Sequence, residues 1–166
     1  MDRPPRDLSP DDRLRHEVAA LLRGRQAHVD AHRALDGIPV DRVNDRLEGG
    51  QHSLYDLVEH LSRAQADILE YATDPGYRAK AWPSDYWPRK PASPADWARA
   101  SEGYVSDLDE LIDLAETGEL FDELPWAPGY TLLRQLLLAA DHNAYHLGQV
   151  VALRERLGLW PPPAVR

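Results

Sequence analysis

Apolar residues recur at the spacing of a helix face in four stretches of the chain, and Pro- and Gly-rich segments separate these stretches. In the first stretch, Ser9 suits an N-cap and Pro10 suits the first helical position, and the acidic residues that follow favour the positive end of the helix dipole. The apolar spacing predicts that this helix continues to about Leu35 and ends before Asp36-Gly37-Ile38-Pro39.

The second helix is predicted to begin at Ser53, because Ser53 and Asp56 have the spacing of a capping box. A wide apolar face continues as far as Leu69, and Asp74-Pro75-Gly76 is a strong stop signal. This segment is therefore expected to pack deeply in the core of the protein.

The third helix is predicted from about Ser93-Pro94 to just before Gly118, and the fourth from about Thr131 to Leu157. Residues 118–130 between them are expected to be a connector, because the alternation typical of a β-strand is nowhere longer than a few residues. Four amphipathic helices without strands predict an all-α fold, a four-helix bundle.

The segment between the second and third helices, residues 74–92, carries four aromatic side chains among four prolines. Proline excludes a long helix here, and the aromatic content is too high for disordered filler. We expect an ordered crossover loop, and loops of this length usually have a functional or structural role. Residues 77–87 could form a lid, a dimer contact or simple packing, and packing is the default. The rings belong to Tyr77, Trp82, Tyr86 and Trp87.

The composition excludes several classes of function. The 166 residues include no cysteine and seven histidines, so the chain has no thiolate of its own, and histidine supplies the nitrogen ligands for any transition metal. Acidic residues outnumber basic residues by 28 to 19, and the formal charge of −9 argues against binding to nucleic acid or to an anionic membrane. The length predicts a single domain, 1–166, with a core from about 9 to 160.

The hydropathy pattern contains no apolar run of about 18 residues, so we expect no membrane-spanning helix. Residues 1–12 are rich in proline and charge and have no apolar signal core. These features lead us to expect a soluble cytoplasmic protein.

Three histidines are candidate metal ligands. His142 and His146 lie four residues apart in the fourth helix, on one face and one turn apart, where they can bind one ion or be ordinary polar surface. His60 borders the apolar face of the second helix, between Leu57 and Ala64, where a single histidine is more often a hydrogen-bonded core residue. Three histidines from two helices of one bundle would, however, make a metal centre with open positions.

Two further residues are candidates for binding a cofactor or substrate. Gln149 lies on the stripe of His142 and His146, so it could contact a metal-bound water or substrate, or pack at the edge of the bundle. His28 and His32 have helical spacing in the polar half of the first helix, which either leaves the core or lines a cavity above the metal. We predict Gln149 and His28 as cofactor-binding residues and assign no catalytic residue.

Several runs of residues resemble a known family. They are His52–Leu61, Ala64–Leu69, Trp82–Pro88, Thr131–Arg134 and Ala140–Gln149. The first two are similar to the second helix of DinB/YfiT-like metalloenzymes, the third to their crossover loop, and the last two to the fourth helix of one subgroup. The resemblance covers roughly residues 13–160.

The resemblance implies a four-helix bundle in which three histidines hold a divalent metal, and the motifs place His60, His142 and His146 at the ligand positions. Members often form homodimers. Characterised relatives include thiol S-transferases that use bacillithiol or mycothiol, and a mycothiol-dependent maleylpyruvate isomerase. This sequence departs from its subgroup at Pro125–Tyr130, where a turn bearing histidine and glycine is common, so its substrate can differ.

Together these features lead to the hypothesis of a metal-dependent enzyme, such as a thiol-dependent S-transferase or a hydrolase-like enzyme, that acts on a small electrophilic molecule. Zinc or nickel is the expected ion, because imidazole suits both, and a low-molecular-weight thiol is a possible cosubstrate. The alternative is a non-catalytic, stress-associated metal-binding or structural dimer, because no carboxylate is clearly placed as a general base. We expect a homodimer with a small-molecule substrate, and neither nucleic acid nor membrane as a partner.

Overall fold

The computed structural model describes residues 7–162. Within them the chain is mostly helical, with five helices and a small two-stranded sheet. In chain order the elements are α1 (Pro10–Arg23), α2 (Ala31–Leu35), a short 3-10 turn (Val40–Arg42), α3 (Leu54–Thr73), α4 (Pro94–Thr117), β1 (Glu123–Leu124), β2 (Ala127–Thr131) and α5 (Leu132–Arg156).

The structure confirms the predicted helix starts, and each long helix begins at a side-chain cap. At α3 the cap is reciprocal: Asp56 N–H donates to the Ser53 hydroxyl (3.1 Å), and Ser53 N–H donates to the Asp56 carboxylate (2.8 Å). The same box recurs at α4, and single caps begin α1 and α5. Such caps satisfy backbone donors that the first turn of a helix leaves unpaired. The capping residues are Ser9, Ser53, Ser93 and Thr131.

The prediction that the first helix continues to Leu35 is wrong. Helix α1 ends at Arg23, because Gly24 and Arg25 both adopt positive φ (73° and 67°), a conformation that no right-handed helix can include. The chain resumes as α2 after Asp30, whose buried carboxylate accepts from Arg33 N–H at 2.7 Å and pairs with Arg25.

The small antiparallel sheet was also not predicted. It lies inside the expected connector 118–130, where Leu124 pairs with Ala127 and Glu123 with Thr131. A strand of two residues is too short for alternation to show in the sequence. The sheet leads directly into α5, and the Trp126 indole N–H donates to the carbonyl of Tyr71 at 2.9 Å.

The long helices pack in a closed series of contacts. Helix α3 contacts α4 and α5, and α1 contacts the same two helices. The first two turns of α3 are buried throughout, polar residues included, so this helix carries its side chains into the interior. The crossover segment, residues 74–93, contains neither helix nor strand and connects α3 to α4.

A buried arginine connects α5 to the end of α2 and to the segment that follows α5. The guanidinium of Arg154 donates to the carbonyls of Ala34 and Asp36, both at 2.6 Å, and to the carbonyl of Leu159 at 3.0 Å. Its side chain is fully buried, and it faces the ring of Trp160. One residue of α5 thereby holds the end of α2 and the segment that follows α5. No helix within residues 7–162 is both long and apolar enough to span a membrane.

Candidate metal centre

Three histidines meet where α3 packs against α5. His60 lies in the buried half of α3, and His142 and His146 occupy successive turns of α5. Each offers a ring nitrogen, and these atoms all lie within 4.8 Å of one another. The sequence expectation that these residues could come together from two helices therefore agrees with the structure.

The hydrogen bonds at two of the rings fix which nitrogen faces the shared space. His60 Nδ1 lies 3.2 Å from the carbonyl oxygen of Tyr86, and His146 Nδ1 lies 2.7 Å from the side-chain oxygen of Gln149. Both oxygens are acceptors, so both Nδ1 atoms must carry the proton. The Nε2 atoms of His60 and His146 then keep free lone pairs, which is the form of imidazole that binds a metal.

The third ring cannot be satisfied by protein atoms alone. His142 Nε2 lies 3.2 Å from His60 Nε2, and His142 Nδ1 is buried without a hydrogen-bond partner in residues 7–162. With its proton on Nε2, His142 leaves an unpaired buried acceptor at Nδ1. With its proton on Nδ1, two lone pairs face each other across 3.2 Å. A cation that accepts both lone pairs removes the repulsion between the two Nε2 atoms, and the proton that His142 then carries on Nδ1 still has no acceptor within residues 7–162.

The distance itself fits a metal. Two nitrogens of a tetrahedral zinc site, each about 2.0–2.1 Å from the ion, lie roughly 3.3 Å apart. The observed 3.2 Å between the two Nε2 atoms is close to that value. The pair His60 and His142 therefore fits one divalent ion, and the ring nitrogen that His146 offers lies within 4.8 Å of both.

The surroundings keep the imidazoles neutral. Burial, together with the neighbouring imidazoles, lowers the pKa of His60 and of His142 to about 4, in His60 against the hydrogen bond to the Tyr86 carbonyl. Burial also lowers the pKa of His146, against the hydrogen bond to Gln149. Because only neutral imidazole binds a metal, this environment prepares the site for an ion at neutral pH.

The crossover segment supports His60 from outside the bundle. The Trp87 ring stacks on the His60 ring, with centroids 4.0 Å apart and planes within 1°. His52 stacks on Trp87 with the centroids 4.2 Å apart, so two imidazoles flank the indole. The carbonyl of Tyr86 accepts the His60 proton from the same segment. The aromatic residues of this segment thus orient a candidate ligand, a role that the sequence did not reveal.

Asp67 is a carboxylate near the site that sequence reasoning missed. It lies seven residues after His60, two turns along α3, and that spacing was the signal that could have found it. Its oxygens accept from the hydroxyls of Tyr86 (2.7 Å) and Tyr77 (3.1 Å), and Lys80 Nζ lies 3.6 Å away. Asp67 therefore fastens the crossover segment to α3.

An open cavity of about 410 Å³ lies against the three histidines. Besides the histidines it is lined mostly by apolar and aromatic side chains, with Asp67 as the one carboxylate among them. The remaining lining residues are Ala64, Ile68, Trp82, Tyr86, Leu138 and Tyr145.

The other candidates lie elsewhere. Gln149 holds the far side of the His146 ring and does not line the cavity. His28 is exposed in the segment between α1 and α2, lies 2.8 Å from the Val29 carbonyl through Nδ1, and does not line the cavity either. The structure thus brings neither of these two residues into the cavity. Glu59, which precedes His60, is buried and pairs with Arg63 and Arg99.

A family model for the DinB superfamily matches residues 14–150, which is most of the chain. The chain belongs to the DinB superfamily. No curated protein and no solved structure matches the chain significantly. The match spans α1 to most of α5 and includes all three histidines of this DinB-like chain.

Proposed function

We propose that this protein is a metal-dependent enzyme, a thiol-dependent S-transferase that acts on a small electrophilic molecule. The observation that carries the proposal is the convergence of three histidines, kept neutral by burial, whose ring nitrogens lie within 4.8 Å of one another. Zinc or nickel is the proposed ion, because imidazole is a good ligand for both.

The residues of the site have different roles. A divalent ion held by three imidazoles supplies Lewis acidity, which lowers the pKa of a thiol or water. Gln149 and the Tyr86 carbonyl fix the ring orientations of His146 and His60. Trp87 excludes water from one face of His60. Since the chain has no cysteine, the thiol must come from a low-molecular-weight compound.

The proposal also covers the architecture, the oligomeric state and the location of the protein. We infer that the closed series of α1, α4, α3 and α5 is a four-helix bundle within a single domain, and that the protein is a soluble cytoplasmic homodimer with a small-molecule substrate. The contacts among these helices support the bundle, and the dimer is proposed because members of the superfamily often form homodimers.

A second candidate function is a metal-binding protein without turnover. One observation favours it: Asp67, the carboxylate of the cavity, is engaged by two tyrosine hydroxyls and so offers no free base. The two functions differ in whether a thiol is consumed.

Metal content tests the site. Protein purified without an affinity tag is expected to hold close to one zinc or nickel ion per chain by elemental analysis. His60→Ala and His146→Ala are each expected to lose most of it, because each removes one of three ligands. His28→Ala is the control, since His28 is exposed and outside the cavity. Unchanged content in both ligand variants would overturn the site.

Thiol consumption tests the activity. The metal-loaded protein is mixed with an electrophile such as chlorodinitrobenzene and a panel of low-molecular-weight thiols. The enzyme is expected to consume at least one thiol, and His142→Ala is expected to abolish that consumption. Metal bound at one ion per chain without consumption of any thiol would favour the protein without turnover.

A further inference from the structure

The cavity beside the histidines has an unusual charge balance. None of its lining side chains is an arginine or lysine, although the whole chain carries 19 of these residues. Its one carboxylate, Asp67, accepts from Tyr77 and Tyr86 and lies near Lys80. The cavity therefore has no cation with which to bind a carboxylate, phosphate or sulfonate away from the histidines.

A cluster of cations lines a different cavity. Arg63, Arg89, Lys90 and Arg99 line a space of about 480 Å³ that shares no lining residue with the cavity at the histidines. Two of these side chains are held by the buried carboxylate of Glu59. The cations of this region thus line a cavity other than the one at the candidate metal centre.

Two aromatic rings stand exposed at the histidine cavity. Trp82 is 69% exposed and Tyr145 is 65% exposed, although both line the cavity. Trp82 belongs to the crossover segment, with its ring 6.4 Å from the His60 ring, and Tyr145 belongs to α5, 4.8 Å from the His146 ring. Exposed rings that flank an apolar cavity are well suited to cover a ring of a bound molecule.

Leu138 completes the apolar wall on α5. It lies one turn before His142, is 39% exposed and lines the cavity. Its neighbour Leu137 is 45% exposed and does not line the cavity. This pair of adjacent leucines offers two positions with similar exposure, of which one faces the ligand space.

From these observations we propose that the cavity selects a small electrophile with an uncharged aromatic body. Trp82 and Tyr145 contact this ring, and the apolar wall at Leu138 disfavours any anionic group on it. This inference rests on the proposed function only in that the ligand is an electrophile. The selection of an uncharged ring follows from the cavity alone.

The test compares two probes of similar size, benzamide and benzoate, in NMR titrations of the metal-free protein. Metal-free protein is used because a bound cation would itself attract the carboxylate. Benzamide is expected to bind about tenfold more tightly than benzoate, since the cavity offers an anion no partner and Asp67 repels it. Equal affinities, or tighter binding of benzoate, would overturn the proposal.

Variants identify the residues responsible. Trp82→Ala and Tyr145→Ala are each expected to weaken benzamide binding about fivefold. Phe121→Ala is the control, because Phe121 is exposed and not part of the cavity lining. If Trp82→Ala and Tyr145→Ala weaken binding no more than Phe121→Ala does, the rings are not the contact surface and the proposal fails.

A charge placed in the wall gives the sharpest contrast. Leu138→Lys is expected to raise benzoate affinity about tenfold, whereas Leu137→Lys leaves it unchanged. Equal effects of the two lysines would contradict the proposal. If Leu138→Lys does not fold, the comparison of benzamide with benzoate on the wild-type protein is decisive. Selection of benzamide by a protein that binds no metal would refute the proposed function and leave this inference standing. Metal binding and thiol consumption by a protein that does not prefer benzamide would support the proposed function and refute this inference.

Discussion

Gln149 acts on the candidate metal centre through another side chain. Its oxygen accepts the His146 Nδ1 proton at 2.7 Å, which holds the ring and leaves Nε2 free. Gln149→Leu is expected to weaken zinc binding about tenfold without removing a ligand. The measurement is competition with a chelator of known affinity. Gln26→Leu, at an exposed glutamine between α1 and α2, is the control, and an equal effect of both changes would contradict the role.

The sequence predicted the candidate ligands better than it predicted the side chains that contact them. An i, i+4 pair places His142 and His146 on one face, and the apolar stripe around His60 turns that ring inward, so periodicity made them candidates. The resemblance to the family then implied that the three act together. Gln149 shares the stripe, yet the spacing could not show on which side of the His146 ring it would lie. The partners from the crossover segment, such as Trp87, depend on tertiary packing that has no period.

At the scale of elements, Asp67 fastens the crossover segment to α3. Two tyrosine hydroxyls of the segment donate to it, and Lys80 pairs with both Asp67 and Glu70. Asp67→Ala removes the shared acceptor, so the segment is expected to open more often. Trypsin is expected to cut the variant several times faster at its basic residues between 78 and 90.

The control for that cleavage is Asp109→Ala, at an exposed carboxylate of α4 that has no ion pair in the described part of the chain. The cleavage sites are identified by mass spectrometry, because a general loss of stability would expose sites in the helices as well. Equal cleavage rates in the two variants would show that Asp67 does not hold the segment.

Local signals account for the elements that the sequence predicted. A cap depends on residues within one turn, so Ser53 with Asp56 and Ser93 with Pro94 indicated the starts of α3 and α4. The end of α1 lies at Gly24, a residue type that commonly follows a helix, but apolar residues such as Val29 and Leu35 continue the helical spacing beyond it and conceal that signal. Strand β1 has only two residues, and β2 contains a proline and a glycine and does not alternate between buried and exposed positions. Their register also shifts between Glu123 and Leu124.

Over the whole molecule, Arg154 connects segments that are distant in the chain. Arg154→Met keeps the apolar stem but leaves the carbonyls of Ala34, Asp36 and Leu159 without their donor. Unpaired buried acceptors are costly, so the free energy of unfolding is expected to fall by about 3 kcal/mol. Urea denaturation measures it. Arg156→Met, at an exposed position of the same helix, is expected to change it by less than about 0.5 kcal/mol.

The stability of the metal-free protein is expected to depend on pH through the same histidines that form the candidate site. In the folded protein the pKa of His60 and of His142 is about 4, below the usual 6.5. As the pH falls from 6.5 toward 4, the unfolded chain therefore binds protons that the folded chain does not bind. The free energy of unfolding decreases as a result. Urea denaturation at pH 7, 6 and 5 in the presence of a chelator measures this decrease. His142→Gln removes one of these groups, so its stability is expected to fall less steeply with pH than that of the wild type, whereas His28→Gln follows the wild type. A stability that stays constant from pH 7 to 5, or rises, would mean that the rings are not buried in neutral form and that α3 and α5 do not hold them together before a metal binds.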